Sequence, residues 1–114
     1  MAKFLLLARG AGIRPGMSPE EIQRIIGKYR SWSEALGRSG KLRDGSKLCD
    51  GEGRVLRHKN GSLLVTDGPF TEANEVLGGY WLFEAEDYAD AERTLADHPH
   101  LEFGTLELRR LDSI

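Results

Sequence analysis

The apolar residues of this chain form short runs of strand length and one long helical stripe. Residues 3–8 are a continuous apolar run, which is typical of a central strand covered on both faces. After a glycine-rich loop, Ser18 can cap a helix, Pro19 fits its first position and Glu21 stands where a capping box needs it. Apolar side chains then recur at helical spacing, and Gly40 is expected to end the helix. The pattern predicts a helix over 19–38.

Three short segments of strand character follow this helix. They cover residues 41–49, 54–58 and 62–66, and an Asp-Gly pair interrupts the first. Asn60-Gly61 separates the last two and is a strong signal for a two-residue turn between antiparallel strands. We therefore predict a β-hairpin inserted into the middle of the chain.

The remaining residues predict a strand, a helix and a final strand. In residues 79–85 the side chains alternate between two faces, as in a strand. Asp87 is expected to cap a helix that Pro99 stops. Residues 105–111 are expected to form the last strand. The two faces of the first of these strands carry Tyr80, Leu82 and Glu84 and, opposite them, Trp81, Phe83 and Ala85.

This order of elements predicts an α+β fold: a split βαβ sandwich with an inserted hairpin and both helices on one face of a single sheet. The other face of the sheet would then be bare. We expect Trp81 and Phe83 to lie there, exposed unless a second subunit covers them. The sequence therefore predicts a homodimer joined face to face.

Length, charge and composition exclude several classes of protein. The 114 residues suit one domain, 1–114, and 39% apolar with 30% charged residues is typical of a soluble globular chain. A formal net charge of -2 gives no overall positive field, so we expect neither nucleic acid nor a membrane as a partner. The apolar run at 4–8 is too short for a signal peptide, so the expected location is cytoplasmic.

The sequence contains no strong cofactor motif. Cys49 is the only cysteine, which excludes an intrachain disulfide and a cysteine-based zinc site. Gly10-x-Gly12 follows a strand, but no helix begins inside the motif, as a dinucleotide-binding fingerprint would require. We expect no cofactor.

A distinctive block begins at the second strand of the hairpin. It contains DGPF at 67–70, a connector with two glutamates, a glycine pair and two aromatic residues, and it reads VTDGPFTEANEVLGGYWLFEAEDYADAERTLADHPHLEFGTLELRRL. This block resembles the DGPF branch of the YCII-related domain family. The likeness extends through FLLLARG and SPEEIQRIIGKYRSWSEALGRSGKL to nearly the whole chain.

The resemblance implies a ferredoxin-like fold that forms a dimeric α+β barrel. It also implies a small bacterial protein, since members of the family are bacterial and most have no established activity. Some are enzymes of aromatic degradation, for which a histidine near the first helix has been paired with an aspartate. Residues 18–40 contain no histidine, so that pair does not carry over to this chain.

Asp67 is the first candidate for chemistry. In Asp-Gly-Pro a carboxylate accepts backbone N–H bonds and builds a turn, which explains the spacing without a further role. The alternative is a carboxylate at the mouth of a cleft that acts as a general base or anchors a ligand. Glu72 and Glu75, in the connector, could supply a second carboxylate.

The stretch HPHLE is the second candidate. If Pro99 keeps it extended, His98, His100 and Glu102 alternate and point to the same side. Such a set could bind a small-molecule ligand. The alternative is a divalent metal, but a metal site usually has a further coordinating residue and the sequence places none here. Another interpretation is a helix end, where His98 interacts with the last carbonyls.

Aromatic side chains and one arginine complete the candidate ligand site. Tyr29 and Tyr80 would favour a planar organic ligand wherever they line a cleft, and Arg9 could meet an anionic group. Core packing is the alternative for each aromatic residue, including Trp32 and Trp81.

Three functions fit these residues. The first is a small-molecule binding protein, with a cleft near the DGPF motif, that works in a regulatory pathway. The second is an enzyme that acts on a small aromatic or anionic substrate through Asp67 and His100. The third is a protein-interaction module. The missing histidine in the first helix favours the first and third over the second.

Overall fold

The computed structural model of the chain describes residues 1–10, 12–68 and 76–113. The predicted helices and strands are all present within these ranges. In chain order they are β1 (Ala2–Arg9), α1 (Pro19–Arg38), β2 (Leu42–Lys47), β3 (Gly53–Lys59), β4 (Ser62–Gly68), β5 (Leu77–Ala85), α2 (Tyr88–Leu95), a 3₁₀ helix (Pro99–Glu102) and β6 (Thr105–Arg110). No helix among the described residues combines the length and hydrophobicity needed to cross a membrane.

The strands form two separate sheets. Four of them make an antiparallel sheet in the order β2-β5-β1-β6, while, in the part of the chain that the structure describes, β3 and β4 pair only with each other. With the hairpin set aside, the four strands follow the ferredoxin-like β-α-β-β-α-β order. The α+β class and the inserted hairpin predicted from the sequence are therefore confirmed.

Local sequence signals explain where the elements begin and turn. The Ser18 hydroxyl accepts the Glu21 backbone N–H at 3.1 Å, and Asp87 accepts that of Asp90 at 2.8 Å, so each helix has a side-chain cap at its start. At the hairpin turn both central residues have positive φ, 52° at Asn60 and 79° at Gly61, as a type I′ turn requires.

Both helices cover the sheet face that carries Phe4, Leu6 and Phe83, each of which is fully buried. The expectation that Trp81 and Phe83 lie on the bare face is wrong. In β5 the residues of both faces are largely apolar, so the alternation along the strand does not show which face the helices cover. The pairing of Phe4 with Phe83 and of Leu6 with Trp81 puts these residues under the helices. The open face instead carries Leu5, Leu7, Tyr80 and Leu82.

The segment around Pro99 also differs from the prediction. Instead of an extended chain it forms the 3₁₀ helix, in which Pro99 occupies the first turn and the His98 side chain caps the start. Proline is favourable at the beginning of a helical turn because a backbone N–H there has no acceptor within the helix, so its absence costs nothing. His98 and His100 are both buried, with 2% of their surface exposed, whereas Glu102 is exposed.

Candidate functional site

A cavity of about 410 Å³ lies between α1 and the four-stranded sheet, where β1 ends and β5 begins. Its volume is in the range of small-molecule sites. Its walls contain apolar and aromatic side chains and several glycines. The cavity is lined by Ala8, Gly10, Gly12, Ile13, Ile26, Tyr29, Ser33, Leu42, Arg43, Asp44, Gly45, Ser46, Lys47, Asp50, Val76, Gly78, Gly79, Trp81 and His100.

The cavity exists because side-chain size falls along the helix-facing side of the sheet. At one end Phe4 pairs with Phe83 and fills the space beneath the helices; at the other end Ala8 pairs with Gly79. On the edge strand Gly45 lies beside Trp81. Three small residues on three strands thus leave a floor without long side chains. Larger side chains would reach into the space that a ligand needs.

Tyr29 and Trp81 make an aromatic wall. Their rings are stacked with centroids 6.4 Å apart and an angle of 18° between the planes. The indole N–H of Trp81 donates to Ser33 Oγ at 2.9 Å, which holds the ring against α1. A fixed, flat aromatic surface suits a planar ligand.

The hydroxyl of Tyr29 is hydrogen-bonded to His100, 71 residues further along the chain. Tyr29 Oη lies 2.7 Å from His100 Nδ1, and His100 Nε2 lies 2.7 Å from the carbonyl oxygen of Arg9. Burial, with a smaller effect of the Glu102 charge, raises the pKa of Tyr29 to about 12. Tyr29 therefore keeps its proton at neutral pH, so the wall presents an un-ionised phenol bonded to an imidazole.

His98 lies behind this pair and does not line the cavity. Its Nδ1 accepts the backbone N–H of His100 at 3.0 Å, and its Nε2 is buried with no partner among the described residues. The ring is packed against Trp32 and Trp81, with centroids 4.2 and 4.5 Å away. Burial, followed by the nearby His100, lowers the pKa of His98 to about 4. His98 therefore supports the backbone beneath His100 as a neutral ring.

Glu102 is exposed and does not line the cavity. Its carboxylate binds Lys28 Nζ at 3.2 Å on the surface. The expectation that His98, His100 and Glu102 point to one side is wrong, because the 3₁₀ turn replaces the extended chain on which it depended. No group of three or more metal-binding side chains occurs in residues 1–10, 12–68 and 76–113.

Charged residues at the edge of the cavity already have polar partners. Arg43 binds Glu84 at 2.8 Å and Lys47 binds Asp50 at 2.9 Å. Asp44 accepts a hydrogen bond from the hydroxyl of Tyr80 at 3.0 Å, and this bond raises the pKa of Tyr80.

Arg9 contributes only its backbone to the Tyr29–His100 pair. Its guanidinium binds Glu107 at 2.8 Å, which lowers the pKa of that carboxyl. Neither Arg9 nor Tyr80 lines the cavity.

Asp67 lies on the hairpin and not in the cavity wall. Its carboxylate is 3.2 Å from Arg54 on the paired strand, and 90% of its side chain is exposed. Pro69 and Phe70 of the DGPF motif lie outside the described residues, as do Glu72 and Glu75. Val76, the first described residue after them, lines the cavity.

Two of the seven predicted site residues, Tyr29 and His100, line the cavity. Sequence reasoning missed the small residues of the floor and Gly12, where a Cβ would lie 2.8 Å from Tyr29 Oη. The glycine pair before Tyr80 was a usable signal, since glycine inside a strand often marks a close approach of another group. No sequence signal links Tyr29 to His100.

The sheet order and the ligand-sized cavity define a ferredoxin-like α+β protein with a candidate small-molecule site. The chain belongs to the YCII-related domain family, whose model matches residues 4–113. An uncharacterized protein from Rhizobium meliloti (strain 1021) is 27% identical over 92 residues, which are 80% of this chain and 74% of that protein.

One solved structure supports the fold across almost the whole chain. It is the 5-chloro-2-hydroxyhydroquinone dehydrochlorinase from Burkholderia phenoliruptrix AC1100 in complex with 2,5-dihydroxybenzoquinone. The TM-score is 0.51 at 18% sequence identity, and the match covers 96% of this chain and 93% of that chain. This likeness concerns the fold.

Proposed function

We propose that this protein binds a small planar organic molecule in the cavity beneath α1. The observation that carries the proposal is a space of about 410 Å³ with an aromatic wall and one partly buried polar pair, Tyr29 and His100. A mainly apolar cavity with few convergent polar groups is the usual form of a small-molecule site. The charged edge residues are already paired, so the selective polar contact inside the cavity comes from the Tyr29 hydroxyl, which His100 orients.

Hydroxylated aromatic compounds are the first ligands to test. The stacked rings of Tyr29 and Trp81 favour a flat molecule. The dehydrochlorinase that shares the fold was solved with 2,5-dihydroxybenzoquinone, so this compound and hydroquinone belong in the first panel.

The test is a titration of the isotope-labelled protein with each compound, followed by backbone amide NMR. We expect shifts concentrated at Gly12, Gly78 and Gly79, which line the cavity. Ile26→Phe, which fills part of the cavity, should weaken binding. Ile22→Phe is the matched control, because Ile22 lies one turn away on α1 and does not line the cavity. Shifts spread over the surface, or equal binding by the two variants, would contradict the proposal.

Acid–base catalysis in the same cavity is the second candidate function. The Tyr29–His100 bond favours it, because a substrate hydroxyl could give its proton to Tyr29 Oη while the tyrosine proton passes to His100 Nδ1. The products of this step are a substrate oxyanion, a neutral tyrosine and an imidazolium. Loss of turnover in Tyr29→Phe with binding retained would support it. Catalysis through Asp67 and His100 stays a prediction, for which Asp67→Asn is the corresponding test.

We also propose that the protein is a homodimer joined through the open face of the sheet. Leu5, Leu7 and Leu82 lie side by side on that face and remain partly exposed, and an apolar face of this kind is typical of an interface. Sedimentation of Leu82→Glu should show a shift to monomer, whereas Leu101→Glu should not, because Leu101 is 50% exposed on the 3₁₀ helix. A parent protein that sediments as a monomer would contradict the proposal.

A further inference from the structure

The hydrogen bonds of His100 fix where its proton lies. His100 Nε2 is 2.7 Å from the carbonyl oxygen of Arg9, and a carbonyl oxygen can only accept. Nε2 must therefore carry a proton. The ring is buried and neither of its nitrogens contacts a carboxylate within residues 1–10, 12–68 and 76–113, so the neutral form satisfies both bonds without a buried charge. In that form Nδ1 has no proton.

The direction of the next bond follows from this tautomer. Because Nδ1 can only accept, the hydroxyl of Tyr29 donates to it across 2.7 Å. The Tyr29 hydroxyl therefore donates its only proton to His100, and the lone pairs of Oη can accept a hydrogen bond from a ligand in the cavity. Position 12 is glycine, so no side chain covers the oxygen there, where a Cβ would lie 2.8 Å away. The polar group of this wall is a hydrogen-bond acceptor.

We infer that the ligand meets Tyr29 with a hydrogen-bond donor, namely an un-ionised phenolic or enolic hydroxyl, and that the site discriminates against the corresponding oxyanion. The inference rests on the proposed function, since it assumes that the cavity is the binding site. To donate to an oxyanion, Tyr29 would have to turn its proton away from His100. Nδ1 would then be buried without a partner, which is costly. The chain of carbonyl, imidazole and phenol therefore selects the protonation state of the ligand.

The test uses 4-nitrophenol, whose phenolate absorbs visible light, and its methyl ether 4-nitroanisole, which has no proton to donate. At a fixed pH near the ionisation of free 4-nitrophenol, we expect the phenolate absorbance to fall when the parent protein is added. The ether should bind about tenfold more weakly, as expected for the loss of one hydrogen bond to a buried acceptor. In Tyr29→Phe the two compounds should bind equally.

His100→Leu provides a second variant that does not remove the phenol. Leucine has no acceptor for the Tyr29 hydroxyl, so the Tyr29 proton becomes free to face the cavity. We expect this variant to lose the preference for the un-ionised ligand.

The outcomes distinguish a failure of this inference from a failure of the proposed binding function. Parent protein that binds both compounds equally, or that raises the phenolate absorbance, overturns the inference and leaves the binding function standing. If neither compound nor any member of the hydroxylated panel binds the parent, the binding function is overturned together with the inference.

Discussion

His98 Nδ1 accepts the backbone N–H of His100 at 3.0 Å, and this single bond determines the protonation state that His98 tolerates. An N–H group can only donate, so Nδ1 is without a proton and Nε2 carries the one proton of the neutral ring. A second proton on Nδ1 would break the bond and place a charge in a site that is 2% exposed. It would also disturb the turn that holds His100 against Tyr29 and Arg9.

The first prediction is a loss of stability between pH 6.5 and 4. Burial lowers the pKa of His98 from 6.5 to about 4, so in this interval the unfolded chain binds a proton that the native chain does not. The free energy of unfolding must then fall as the pH falls, by roughly 3 kcal/mol at the lower end. Urea denaturation at a series of pH values measures the slope.

His98→Asn is the control for this slope. Asparagine keeps an acceptor for the His100 N–H but does not titrate, so the variant should lose the slope between neutral pH and the carboxyl range. Asp90 and Glu107 also have lowered pKa values, but their contributions are lost only below their ordinary values of 3.8 and 4.5. A variant that retains the parent's slope above that range would show that another group causes it.

The second prediction is that Gly104→Ala and Gly27→Ala change stability in opposite directions. A Cβ at 104 would overlap with the Arg9 carbonyl oxygen and lie 2.9 Å from His100 Nε2. The backbone must shift, at a cost of about 2–3 kcal/mol. Position 27 is inside α1 with nothing within 4 Å of the added Cβ, so alanine there should stabilise by about 0.5–1 kcal/mol. Equal effects in urea denaturation would contradict the packing around Arg9.

The third prediction is that Gly12→Ala impairs the cavity more than the fold. The new Cβ would lie 2.8 Å from Tyr29 Oη, the far end of a side chain that can move. The stability loss should therefore stay near 1 kcal/mol, while the shifted hydroxyl loses its geometry with His100 and hydroquinone binds about tenfold more weakly. Unfolding by urea and an NMR titration with hydroquinone measure the two effects. Unchanged affinity would mean that Tyr29 Oη does not contact the ligand.

The elements of this fold were predictable because their signals are local. Ser18 and Asp87 cap helices through bonds three residues away, and Asn60-Gly61 adopts the positive φ values that its turn type needs. The segment after His98 was not predictable in this way. A proline with a capping residue before it fits a 3₁₀ turn as well as an extended chain, and burial of both histidines against the aromatic residues of α1 favours the turn.

The cavity could not be predicted because it depends on the register of three strands. Ala8, Gly45 and Gly79 become one floor only when β1, β5 and β2 are aligned. The choice between the two apolar faces of β5 depends on the same alignment. The pairing of Tyr29 with His100 requires the 3₁₀ turn to be packed under α1, which is a tertiary contact with no sequence spacing of its own.

The last prediction separates the two interpretations of Asp67. Its carboxylate is 90% exposed and meets Arg54 at 3.2 Å, and exposed ion pairs contribute less than about 1 kcal/mol. Asp67→Ala should therefore change the free energy of unfolding less than Asp87→Ala, which removes a helix cap worth about 1 kcal/mol. Both variants are compared by urea denaturation at one protein concentration.

If Asp67→Ala instead costs as much as the lost cap or more, Asp67 builds the turn into the DGPF segment. If stability is unchanged but binding of the hydroxylated aromatic compounds weakens, the carboxylate reaches the ligand. In that case the role of Asp67 in the cleft, predicted from the sequence, is supported.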